Sequence, residues 1–404
     1  MNGCDHPGLL PVEEALARLL ALAESAPIAG DEQVVLAEAD GRVLAVPLVA
    51  GLDLPPWANS AMDGYALRLA DWTGEPLVVS QRILAGSAPQ PLQPGTCARI
   101  FTGAPLPEGA DTVEMQENAD VESDGRVAFS EPLRQGQNVR PQGQETRRGE
   151  TVLPAGTRMG PIEMGLAASL GAAELTVRRR PRVAVVSTGD ELVPPGQPLG
   201  PGQIYNSNRA LLIAWLKRLG CAVVDAGILA DDLELTRAAL TGLSDVDLIL
   251  STGGVSVGEA DFLGHALREE GELALWKLAI KPGKPLTFGH FRGVPVIGLP
   301  GNPASTLVTF GLLARPYLLR RLGVQEVEPL GFTVAAGFVW KKPGNRREYL
   351  RARLEHGRAV IYPNQSSGVL RSAAWAEGLV EVLEGTTLAE GDSVRFIPLS
   401  EIQA

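Results

Sequence analysis

Cysteine is scarce in this chain. Cys4, Cys97 and Cys221 lie far apart, are odd in number and show no Cys-x-x-Cys spacing, which gives no support to a disulfide framework or a thiolate zinc site. Histidine is as rare, with His6, His265, His290 and His356 scattered singly. That argues against a histidine-rich metal centre or a Ser-His-Asp triad, so any metal is expected to be a hard cation on oxygen ligands. No run of about 18 apolar residues is present, and no cationic segment leads into an apolar one near the N-terminus. The chain therefore reads as a cytoplasmic protein. Positive charge is also in deficit, the net charge being −11, which argues against nucleic acid or an anionic membrane as the main partner. A small anion held by a local group of lysines is still allowed. Internal repeats and low-complexity tails are absent as well.

What is present is ordinary globular composition at unusual length. The 404 residues exceed the roughly 250–300 at which single cores stop growing, so about three or more domains are expected. Hydrophobic residues at 45% and charged residues at 21% suit a soluble protein, while 46 Gly and 31 Pro point to many loops and short strands.

In chain order, Pro11–Glu24 has an apolar stripe and acids in its first turn, predicting an amphipathic helix. Short strands are expected at 34–36 and 43–48, then a loop whose Pro55-Pro56 pair excludes helix and strand and which ends at Asp63. Gly64 to about Pro141 reads as a small inserted β domain, with a strand running into the Thr102-Gly103 turn, and it closes at Arg140–Glu145. Pro161–Leu170 is a short helix, expected to form a stalk domain with the first one. From Arg182 strands and helices alternate, predicting a parallel sheet with helices on both faces and a ligand beyond the strand carboxyl ends. Asn208 is placed as the cap of a helix to Leu219, and Asp231-Asp232 opens another. Asn302 and Pro303 start one running to about Leu319. Phe332 onward reads as a small β-barrel or sandwich. The expected division is 1–50 with 142–180, then 51–141, 181–327 and 328–404.

The chemistry concentrates in Val246–Lys284. An apolar strand to Leu250 is followed by Ser251-Thr252-Gly253-Gly254, read as a loop whose backbone amides and hydroxyls can approach an anion. Glu259 and Asp261 precede a helix from Phe262. In an extended Trp276–Lys281 segment, Lys277 and Lys281 would share a face, with Lys284 in the next turn. Three convergent lysines beside carboxylates suit a polyanion held with a divalent cation, each charge-assisted bond contributing about 1.5–3 kcal/mol. Plainer readings exist for each part: a tight turn, a solvated lysine edge, and helix caps at Asp231, Asp232 and Asp261.

Six stretches in order, PPWANSAMDGYA, STGDEL, GQIYNSN, STGGVSVGEADF, WKLAIKPGKP and GLPGNPAS, closely resemble the molybdopterin molybdenumtransferase family, MoeA of bacteria and the E-domain of gephyrin. The resemblance spans about residues 10 to 400. It implies a homodimer of four-domain subunits: an elongated stalk, an inserted β domain, a central doubly wound parallel α/β domain of MogA-like type, and a C-terminal β-barrel. It further implies insertion of molybdate into adenylylated molybdopterin, with Mg²⁺-dependent release of AMP. Transient contacts with the molybdopterin adenylyltransferase and with molybdoenzymes would follow. By motif position, Asp63, Thr102, Glu145, Glu191, Asp231, Asp261, Lys277 and Lys281 would be catalytic, with Glu191, Asp231 and Asp261 holding the metal. Ser251, Gly253, Gly254, Ser256, Lys284, Pro300, Asn302 and Pro303 would bind the pterin nucleotide.

The chain departs from the family pattern at Ala58, where Asp is usual, at Leu233, where Pro is usual, and at Gly143-Gln144-Glu145, where Gly-Glu-Asp is usual. Other functions stay open on the sequence: the preceding adenylyltransferase step, a tungstate-specific form of the same chemistry, or a non-catalytic binding or scaffold protein.

Overall fold

A computed structural model describes residues 8–130, 132–253 and 262–403. Its centre is a six-stranded sheet in the order Ala222–Leu229, Arg182–Thr188, Leu248–Thr252, Val294–Leu299, Pro285–Phe291, Gly271–Lys277. The first four run parallel, as alternation of strands and helices demands. The last two are antiparallel additions, each paired to its neighbour through a short hairpin or crossover, a feature the strand-helix alternation did not signal.

Successive residues of each central strand go to opposite faces. Val183 and Val185 join Leu248, Leu250, Ile297 and Leu299 in one core, whereas Ala184 and Val186 join Ile249 and Val296 in the other. Helices Leu233–Thr241 and Phe262–Glu270 cover the second face. The first is covered by Ser207–Arg218 and by a long helical run beginning at Pro303. That run widens by one turn over Phe310–Ala314 and resumes as Arg315–Arg321. Pro316, having no N–H, cannot donate to Leu312, which accounts for the break in regular winding there.

Helix Val12–Ser25 forms where the stripe of apolar residues predicts it, but not in the expected place. It packs on the central domain: Ala15, Leu19 and Ala23 are wholly buried in the same core as Tyr317 and Leu318. Ile28 N donates to Arg321 O at 2.8 Å and Arg320 pairs with Glu24 at 2.8 Å. Burial of each leucine stabilises this attachment by about 1.5–3 kcal/mol. Helix Pro161–Ser169 stays apart from it, on a small core of Val34, Leu44, Met159, Leu175 and Val177 under the Asp31–Val35/Glu174–Arg178 ladder.

Residues 64–115 form a four-stranded sheet in the order Val78–Ile83, Thr96–Ile100, Gly64–Leu67, Thr112–Met115. The C-terminal strands Phe332–Ala336, Arg347–Glu355, Arg358–Ile361, Gly378–Val382 and Ser393–Pro398 close into a small barrel. Among the described residues no helix is long and apolar enough to cross a membrane. Burial pushes the thiols of Cys97 and Cys221 up to about 12, so both are neutral packing groups at ordinary pH.

Candidate functional site

Three parallel strands end together at Thr188, Thr252 and Leu299. Ser251 and Thr252 belong to the strand and not to the loop expected there: both are buried, and Thr252 lies 3.3 Å from the Ser187 hydroxyl. The turn comes at Gly253, whose φ is +84 and whose added Cβ would stand 2.6 Å from Thr188 O. Only glycine fits both demands.

Beyond these ends lies a cavity of about 470 Å³ lined by Thr188, Glu191, Asn206, Asn208, Thr252, Gly253, Asn302, Pro303 and Gly368, among others. Helix Ser207–Arg218 is capped by Asn206, whose side chain accepts from Arg209 N at 3.1 Å, so the expected cap at Asn208 is displaced by two residues. Asn208 instead donates to Gly301 O at 2.7 Å and ties that helix to the 300–303 loop. Pro300 O accepts from Thr306 Oγ1 at 2.7 Å. Asn302 starts the next helix with no side-chain bond of its own, Pro303 supplying the first helical position. Among the described residues, Asn206 Nδ2, Asn208 Oδ1 and Ser251 Oγ are buried without hydrogen-bond partners. Unpaired buried polar atoms cost about 1–3 kcal/mol each and mark the end of this sheet as a place for a polar ligand.

The lysines are arranged differently from the expected shared face. Gly271–Lys277 runs in the same sense as Val294–Leu299, because each is antiparallel to Pro285–Phe291. Lys277 therefore ends its strand at the carboxyl end of the sheet, opposite Pro285 and close to Lys284, and both lysines are exposed. Lys281 has left this sheet. With Ile280 it pairs in parallel with the barrel strand at Arg347–Glu348, and its ammonium lies 2.9 Å from Glu348, which is buried. The chain bends between the two lysines, at Leu278 and Ala279, so their two-residue alternation is broken.

The expected acidic set is not assembled among the described residues. Glu191 folds back over Gly189, where an added Cβ would meet its carboxylate. Asp231 and Asp190 clasp one another through backbone N–H groups, at 3.1 and 3.4 Å. The helix cap is Asp232, accepting from Leu235 N at 2.9 Å. Asp261, Gly254 and Ser256 lie outside the described residues. Among those described, no group of three or more His, Cys, Asp or Glu is placed to hold a metal ion.

In the inserted domain the expected pair does meet. Thr102 donates to Asp63 Oδ1 from both its backbone N–H and its hydroxyl, each at 2.7 Å. The backbone N–H first, then the hydroxyl, hold the Asp63 carboxyl below the usual carboxylate range. Glu145 lies apart from them, its N–H on Leu54 O at 2.9 Å, in a second cavity of about 470 Å³ shared with Asn59, Arg140 and Gln144. Asn59 Oδ1 there is buried and unpartnered. Among the described residues, no hydrogen bond or ion pair joins residues 51–149 to residues 181–404.

Sequence reasoning missed the amides of Asn206 and Asn208, although GQIYNSN carried them. It also missed the barrel loop around Ser367 and Gly368, which reaches the cavity through Ala304 N on Ser367 O at 2.9 Å. That loop has no periodic or charge pattern to announce it.

A mostly parallel α/β sheet with a cavity at its carboxyl end, reached by a loop of the C-terminal barrel, defines a multidomain α/β ligand-binding protein. Residues 184–320 match the model described as a probable molybdopterin binding domain. Residues 10–171 match the MoeA N-terminal region (domain I and II) and residues 333–399 the MoeA C-terminal region (domain IV). The chain belongs to the MoeA family. It is 42% identical over 324 residues to the molybdopterin molybdenumtransferase of Haemophilus influenzae, covering 79% of this chain and 80% of that one. It is 40% identical over 367 residues to molybdopterin molybdenumtransferase 2 of Mycobacterium tuberculosis, covering 87% and 90%. A crystal structure of the molybdopterin biosynthesis MoeA protein from Pyrococcus horikoshii superposes with a TM-score of 0.82 at 27% identity, covering 96% of this chain and 100% of that one.

Proposed function

We propose that this protein is a transferase of molybdenum cofactor biosynthesis that inserts molybdate into adenylylated molybdopterin, with Mg²⁺-dependent release of AMP. The observation that carries this is the cavity at the carboxyl end of the central sheet, with orphaned amides and with Lys277 and Lys284 at the same end. It occurs in a chain whose curated relatives bear the transferase name along most of their length. Matches on both sides of the central domain favour this over the adenylyltransferase alone.

In this reading Lys277, Lys281 and Lys284 neutralise the dithiolene, pyrophosphate and oxyanion charges. The strand-end backbone at Thr252 and Gly253 admits the ligand closely, and Asn206 and Asn208 meet its polar edges. Glu191, Asp231 and Asp261 would hold Mg²⁺, which when bound would supply Lewis-acid stabilisation of charge on the phosphoanhydride. The described carboxylates do not by themselves form a cation site.

Among the described residues, no hydrogen bond or ion pair links Asp63, Thr102 or Glu145 to the cavity of their own chain. We place them against the cavity of a second copy, in a cytoplasmic homodimer in which helix Val12–Ser25 of each chain goes with residues 181–327 and not with the segment 142–180. Transient contacts with the adenylyltransferase and with molybdoenzymes belong to the same reading.

The test is AMP release by the purified protein from adenylylated molybdopterin and molybdate, with Mg²⁺ or EDTA, alongside reconstitution of an apo-molybdoenzyme. Molybdate-dependent release supports the reading. Binding of the pterin without turnover would leave a non-catalytic homologue, and release with tungstate alone would change the oxyanion. Mixing the impaired variants Asp63→Asn and Lys277→Ala should raise activity above the mean of the two alone if two chains share each site, and the absence of such a gain would refute that sharing.

A further inference from the structure

The barrel strand Arg347–Glu355 carries a carboxylate that nothing above uses. Glu348 is only 5% exposed, and the ion pair it forms is with Lys281, at 2.9 Å. The two residues are also register partners: Ile280 lies opposite Arg347 and Lys281 opposite Glu348, with Arg347 N donating to Ala279 O at 2.8 Å. Backbone and side chain thus fix the same residue twice, from a different domain. The Lys281 side chain is half exposed even so. Its ammonium has three donors, of which one points to Glu348 and two are left for a ligand.

We propose that Glu348 is a positioning residue for the molybdenum-transfer reaction, holding Lys281 so that its remaining donors meet the oxyanion where charge develops. The inference rests on the reading of Lys281 as an anion-binding residue. A buried carboxylate beside an anion site is a poor choice for tight binding, because its charge repels the ligand. It is a good choice for orientation, since a four-carbon side chain left to itself samples many rotamers. Removing the charge while keeping the shape should therefore separate binding from turnover.

The experiment is the molybdate dependence of AMP release for the full chain, with Glu348→Gln, Lys281→Met and the double variant, each checked for an unchanged Tm. Outer partners of site residues commonly contribute about 10-fold or more to activity. Glu348→Gln is expected to lower kcat about 10-fold without raising the KM for molybdate, and to change nothing further in the Lys281→Met background. Glu348→Asp should recover part of the loss, and serves in the same cycle should the Gln variant not fold. An unchanged kcat in Glu348→Gln, or a full additional loss on top of Lys281→Met, overturns the positioning role. Wild-type kinetics in Lys281→Met alone would instead overturn the underlying site assignment.

Discussion

Two parts of this molecule carry the residues expected to do chemistry, and they are built on opposite plans. The Asp63–Thr102 pair is complete within one small sheet: one turn supplies two donors to one carboxylate oxygen, and the bonds lie at the surface. The cavity at the end of the central sheet is assembled from remote pieces. Strand ends at 188 and 252, the helix start at 206–208, the loop at 301–303 and the barrel loop at 368 all contribute, and several polar atoms among the described residues remain unpaired. A self-satisfied group can be presented to a partner as a finished part. An unsatisfied one needs the ligand to complete it, and small displacements of its frame should be felt strongly.

The sharpest way to break this contrast is a pair of glycines, both at positive φ. Gly253→Val would drive a side chain into Thr188 O, whereas Gly103 beside Thr102 has open space around an added Cβ. We expect Gly253→Val to cost about 100-fold or more in molybdate-dependent AMP release, in keeping with misplacement of site groups by about 1 Å. Gly103→Ala should keep activity within a few-fold and cost stability of about 1 kcal/mol for the strained φ, read by denaturant titration. Equal effects would erase the distinction.

Next in size is Asp63→Asn, which keeps the turn but removes the charge. A loss of about 10-fold in kcat/KM with little change in Tm is expected, and full activity would make the pair a structural turn only. Glu145→Gln should cost less, and an unchanged rate would remove the altered Gly-Gln-Glu loop from the site.

The smallest effect concerns pH. Because Thr102 lowers the Asp63 pKa below its ordinary 3.8, the bond's contribution is complete above that value and fades as pH falls through the lowered one. In Thr102→Val, which deletes the hydroxyl donor, an NMR titration of the Asp63 carboxyl should move back up toward 3.8. A titration that does not move would show that the backbone N–H alone sets it.

Much of this was legible in the residues. The core strands, the helix starts at Pro161, Asp232 and Pro303 and the Thr102-Gly103 turn follow from local pattern. The failures share a cause. Amphipathicity shows that Val12–Ser25 buries a face but not against what, and the partner proved to be the central core. Alternation put Lys277 and Lys281 together, yet two different sheets recruited them. Asn206 and Asn208 are equally good caps on paper, and the backbone of Arg209 and the Gly301 carbonyl decide between them. Pairing across distant segments overrides local preference in each case.

The position of the first helix also bears on the order in which the chain is made. Glu24 and Arg320 are 296 positions apart, which at about 5–20 residues per second is a delay of roughly 15–60 s during synthesis. Through that interval the apolar face of Val12–Ser25 has no partner, while the segments between can already fold. A helix made long before its partners is thus among the last to be buried, and the central core closes only when the run ending at Arg321 arrives to cover it.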